Sequence, residues 1–107
     1  MPNEPISSDV RAFILNNKRW RFSRKYDLGR SAEGHPVLGK CDPPDQPNKG
    51  IRVLATLKGE KELDTIIHEA LHAAAWTVLD EGFVDQTAED LARLLWRLGY
   101  RKVHPEA

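Results

Sequence analysis

The chain has 107 residues, enough for one domain with one modest core, expected to span 1–107. Hydrophobic residues make up 40% and charged residues 30%, with 16 basic side chains balanced by 16 acidic ones, so no net charge draws the chain toward nucleic acid or a membrane surface. The single cysteine, Cys41, excludes an internal disulfide framework and a zinc cage built from several cysteines.

No apolar run approaches the roughly 20 residues that a bilayer demands. The start, Met-Pro-Asn-Glu-Pro, lacks a basic region followed by an apolar one, so no secretion signal is expected. With one unpaired thiol, the expectation is a soluble cytoplasmic protein. Residues 1–8 read as a flexible lead-in and 101–107 as a tail.

From Val10 to Leu28 the pattern predicts a β-hairpin. Phe13-Ile14-Leu15 is an apolar run, and Asn16-Asn17 tolerates positive φ. Trp20, Phe22, Tyr26 and Leu28 then share one face, with Arg19, Arg21 and Lys25 on the other. A helix over 8–18, capped by Ser7 or Ser8, is the competing reading. Gly29 to Gly34 reads as a turn and His35 to Cys41 as a short strand. The three prolines in residues 42–48 exclude regular structure there. Gly50 to Thr56 reads as another strand. Two helices follow, about 60–78 and about 81–98, joined by a tight turn at Leu79-Asp80, with Gly99 as a stop. The fold class is therefore α+β: a small antiparallel or mixed sheet of three to four strands, then two antiparallel helices.

The first helix carries His68-Glu69-Ala70-Leu71-His72. Histidines four apart project from one helix face, one turn above the other, and can grip one zinc ion. Glu69 then sits beside the metal, placed to take a proton from water. Leu63, Ile66, Ile67, Ala70, Leu71, Ala74 and Val78 supply the apolar face that such a rigid helix needs. The plainer alternative is a pair of ordinary helix histidines with a solvated Glu69.

A catalytic zinc takes a third protein ligand and keeps a fourth position for water. If the two helices fold back about Leu79, His72 lies level with residue 86 and His68 with residue 90. The apolar stripe Val84, Ala88, Leu91, Leu94, Leu95 and Leu98 would face the first helix, with Asp90 on one flank and Asp85 on the other. Asp90 is the preferred third ligand, ahead of Glu89, Asp85 and Glu81. Surface pairing with Arg93 or Arg97 is its plainer role. His35, His104 and Cys41 are weaker candidates. The two histidines lack a partner at ligand spacing, and a half-buried core thiol is the plainer role for Cys41.

With HEALH on one helix, a tight turn, and a second helix ending Leu94-Leu-Trp-Arg-Leu-Gly-Tyr100, the chain resembles small zinc metallopeptidases of bacterial and phage genomes. These belong to the zincin-like HExxH superfamily. The resemblance covers about the C-terminal two-thirds, including Cys41-Asp42-Pro43-Pro44. It implies a minimal zincin-like fold, His68 and His72 as zinc ligands, and Glu69 as general base. No third histidine follows at metzincin spacing, since His72 is followed by Ala73, Ala74, Ala75 and Trp76.

The function expected is zinc-dependent peptide hydrolysis through a water activated by Glu69. The partner expected is a peptide or protein substrate, lying along the edge of the 50–56 or the 35–41 strand. So small a domain offers little cleft wall, so an oligomer or a partner protein would help to select substrate. A non-catalytic protein-binding module, with zinc structural or vestigial, is the alternative; exposed Trp76 and Trp96 would be its sign. Nucleic-acid binding by Arg19, Arg21, Arg24 and Lys25 is disfavoured, because strand alternation separates these cations from Trp20, Phe22 and Tyr26.

Overall fold

The computed structural model describes residues 10–78 and 80–103. The expected lead-in at 1–8, Leu79 of the expected turn, and His104 lie outside the described residues. Four strands and two helices follow one another: β1 (Ala12–Leu15), β2 (Lys18–Lys25), β3 (Gly39–Cys41), β4 (Gly50–Leu54), α1 (Gly59–Ala74) and α2 (Glu81–Arg97).

β1 and β2 form the expected antiparallel hairpin, in register from Ala12–Arg21 to Leu15–Lys18. Asn16 and Asn17 make its turn, both at positive φ (52° and 63°), a conformation whose steric cost asparagine bears better than most residues. Across the sheet the order is β1-β2-β4-β3. β2 and β4 run parallel, and β4 and β3 antiparallel, so the sheet is mixed. β4 is therefore interior. Of the two strands that offered an edge for substrate, β3 alone is outermost. It is also shorter than the sequence suggested, beginning at Gly39 rather than His35; Pro36 makes only an isolated bridge to Arg30.

Trp20, Ile51, Val53 and Ala73 form the buried cluster, with Phe13, Leu15, Phe22, Cys41, Ile66 and Ala70 packed around it. Ile51 and Val53 are 2% and 0% exposed, and burying each contributes about 2 kcal/mol. Tyr26 departs from its expected face. β2 ends at Lys25, and Tyr26 is exposed. Arg24 shares the face of Trp20 and Phe22, where its guanidinium donates to Glu62 of α1 at 2.6 Å.

α1 lies on β3 and β4 and packs against α2. Its first turn carries Glu60 and Glu62, and its last turn His72, a distribution that suits the helix dipole. It ends at Ala74, four residues before the expected Val78. The connection 75–80 is therefore longer than a two-residue turn. Asp80 caps α2 by accepting from the backbone N–H of Phe83 at 2.8 Å.

The buried face of α2 differs from the expected stripe. Val84, Ala88 and Ala92 are fully buried, and Leu95 half-buried, whereas Leu91, Leu94 and Leu98 are exposed. Small residues let the two helices approach closely, so alanines, not leucines, face α1. No helix among the described residues is long and apolar enough to cross a membrane.

Candidate metal centre

Buried positions on α1 are Glu62, Thr65, Glu69 and Ala73, one side of the helix turned to the sheet. His68 and His72 occupy the neighbouring stripe and face the start of α2. Their rings pack edge to face, with centroids 4.9 Å apart. Each Nε2 meets the same carboxylate: His68 Nε2 lies 3.0 Å from Glu81 Oε1, and His72 Nε2 lies 2.9 Å from Glu81 Oε2. The histidine side chains are about one-fifth exposed, while that of Glu81 is 63% exposed, so the cluster opens to solvent on one side.

His68, His72 and Glu81 can hold a metal ion. One ligand atom from each lies within 4.8 Å of the other two. Two imidazole nitrogens and one carboxylate oxygen match the three-ligand set of a catalytic zinc, which leaves a position for water. Asp85, one turn after Glu81, sits with Oδ1 3.2 Å from His68 Nδ1. A carboxylate on Nδ1 holds a proton there and leaves Nε2 to present its lone pair to a metal.

Asp90 is not in this cluster, which corrects its preferred place as third ligand. Its Oδ1 accepts from Gln86 Nε2 at 3.0 Å and lies 3.8 Å from Arg93 Nη1. Glu89 pairs with Arg93 instead, at 2.9 Å. Two physical causes move the ligand. α1 stops at Ala74, so the fold-back is centred earlier than Leu79 and brings residues 81 and 85 level with the histidines. The buried face of α2 is also rotated toward Ala88 and Ala92, which turns Glu81 and Asp85 to α1 and Asp90 away.

Glu69 is 7% exposed and packs beneath Gly39 of β3, near enough to Glu81 to feel its charge. Burial pushes its carboxyl up to about 7; the charge of Glu81 adds to this and Arg52 opposes it. A bound cation would pull the same group back toward its ionised form. Cys41 of β3 is half-buried in the same place. Burial first, then the charges of Glu69 and Asp42, push its thiol up to about 12, and it stands outside the His68, His72 and Glu81 group. Arg52 donates to Asp42 at 3.2 Å and 2.8 Å, and this fork ties the end of β3 to β4. Gly39, Thr65 and Arg52 thus shape the surroundings of Glu69. No short-range signal in the sequence marks them, because the approach of β3 to α1 is a tertiary contact.

His35 is exposed in the turn after Ser31, far in role from the cluster. Trp76 is 39% exposed beside His72, at 6.3 Å between ring centroids. Trp96 is half-buried under the guanidinium of Arg101, 3.5 Å from its ring. An apolar cavity of about 950 Å³ lies between the β1–β2 hairpin and α1, walled by Phe13, Phe22, Ile66 and Trp96, and contains neither histidine. Comparison of the chain with protein-family models, curated proteins and solved structures gives no match.

Proposed function

We propose that the chain is a zinc-dependent metallopeptidase of minimal zincin-like form. His68, His72 and Glu81 would be the zinc ligands, and Glu69 the general base. What carries this reading is a single arrangement. Two helix histidines and a carboxylate from the next helix converge, and a buried carboxylate stands between the histidines in sequence. A purely structural zinc site has no use for that fourth group.

A zinc ion bound there would supply Lewis acidity, polarising a peptide carbonyl and lowering the pKa of water. The chain's own groups do the rest. Glu69 takes a proton from the attacking water and passes it to the leaving amine. Asp85 holds the His68 ring. β3, as the outermost strand, presents its outer backbone groups to an extended peptide laid alongside.

Two measurements on the purified chain test this reading: zinc content after zinc is supplied, and hydrolysis of an unstructured peptide. One zinc per chain and measurable cleavage are expected. Glu69→Gln should keep zinc and fold and lose activity by roughly 10²- to 10⁴-fold. Equal activity in that variant overturns the mechanism, and a parent that takes up no zinc overturns the site.

The second reading, a non-catalytic protein-binding module, draws on exposed Trp76 and on the leucines of α2. Zinc uptake without cleavage of any peptide tried would favour it.

A further inference from the structure

α2 has two apolar stripes, and the two helices of the fold use only one. The inner stripe, Val84, Ala88, Ala92 and Leu95, faces α1. The outer stripe is Phe83, Thr87, Leu91, Leu94 and Leu98. Its four large members are 50%, 39%, 53% and 65% exposed, in chain order. At 100° per residue the outer stripe occupies an arc of about 80°, centred about 100° away from the inner one. Thr87, Leu91, Leu94 and Leu98 are spaced four-three-four, the seam of a two-stranded coiled coil. Leucines left open in that pattern are an interface looking for a second helix.

The charges beside the seam say which helix fits. Asp90 and Arg97 lie on its solvent flank, one heptad apart. Within one copy Arg97 makes no ion pair among the described residues. Asp90 receives only Gln86 and the distant Arg93. We propose that this face binds the same face of a second copy, with the two α2 helices antiparallel about a two-fold axis. That arrangement sets Leu91 against the partner's Leu94 and Thr87 against the partner's Leu98. It also sets Asp90 beside the partner's Arg97, and by symmetry does so twice. In a parallel pair the two copies of this flank lie on opposite sides of the seam, so neither Asp90 meets an Arg97 and both ion pairs are lost. The surface is thus complementary to itself in one direction only. The inference is independent of the metal.

Sedimentation equilibrium on the full chain tests it. The parent is expected to show a dimer mass. Leu94→Glu and Leu98→Glu each place a charge in the seam and should give monomers, with circular dichroism unchanged because both sites are exposed. Asp90→Arg should weaken dimerisation by at least about tenfold. Combining Asp90→Arg with Arg97→Asp should restore it, since the pair is then reversed but matched. A monomeric parent at every concentration overturns the proposal. So does a dimer that both glutamate variants leave intact, or a charge-reversed double variant that stays as weak as the single one.

Discussion

A β-carbon placed on Gly39 would lie 2.8 Å from Oε2 of Glu69 and 2.9 Å from its Cγ, with the Thr65 methyl also at 2.9 Å. β3 can pass over α1 at this level only because residue 39 has no side chain. Gly39→Ala must therefore either push β3 off the helix or displace the Glu69 carboxylate. The expected loss of stability is about 1–3 kcal/mol, read by urea unfolding. Peptide hydrolysis should fall by more than this stability loss explains, while zinc content holds. An unchanged unfolding midpoint would show that the contact is looser than described.

Glu81, not Asp90, should carry the third metal bond. In Glu81→Ala the zinc is expected to fall away during dialysis, and in Asp90→Ala it should remain at one per chain. Elemental analysis of the two variants side by side separates the carboxylates.

Asp85 touches the His68 ring at Nδ1 and would act on a bound metal only through it. Its removal should weaken zinc binding by roughly 10- to 100-fold, the usual loss for an outer partner, and by less than the loss of Glu81. Competition with a chromophoric chelator gives the affinity. Asp85→Asn keeps an acceptor for the Nδ1 proton and should bind between parent and Asp85→Ala.

Asp80 holds the first turn of α2, where Glu81 stands. Asp80→Ala should cost about 1 kcal/mol of stability. A frayed first turn also positions Glu81 less well, so zinc affinity should fall with it. Restoration by Asp80→Ser would assign both effects to the cap.

The Arg52 fork holds the Asp42 carboxyl below its ordinary value, helped by the Gly50 N–H and opposed by partial burial. A carboxylate shifted down contributes stability above its unfolded pKa of about 3.9, and that contribution is lost as pH falls through the folded value. Asp42→Asn should cost about 1–2 kcal/mol near neutral pH. The gap between variant and parent should narrow as pH falls below the unfolded value and close below the lowered folded one. A gap that persists at low pH would point to packing at Asp42 rather than charge.

Much of this was legible in the residues. The Asn16-Asn17 turn, the alternation of Trp20 and Phe22 with Arg19 and Arg21, the prolines of 42–48 and the helix around HEALH each follow from a local rule. The fold class, a mixed sheet followed by two helices, came through as well. The rotation of α2 did not. Leucine outweighs alanine in any apolar stripe, yet close helix packing selected Ala88 and Ala92, and the ligand choice followed that error to Asp90. Arg24 looked like a surface cation, but its partner Glu62 lies on another element far along the chain. Neither the parallel pairing of β2 with β4 nor the seat of Glu69 under β3 leaves a trace in neighbouring residues.

Sheet topology sets an order of assembly. β1 with β2, and α1 with α2, are joined by short connections and can close early. β2 and β4 must meet in parallel across everything between 26 and 49. That closure entropy is spent before the ladder returns anything, so the parallel pairing should be among the last events in folding. His68, His72 and Glu81 all belong to the helix pair, whereas Glu69 finds its seat only once β3 has joined β4. A half-folded chain with its helix pair formed could therefore capture a cation before Glu69 is seated, and bound metal alone would not certify a finished fold.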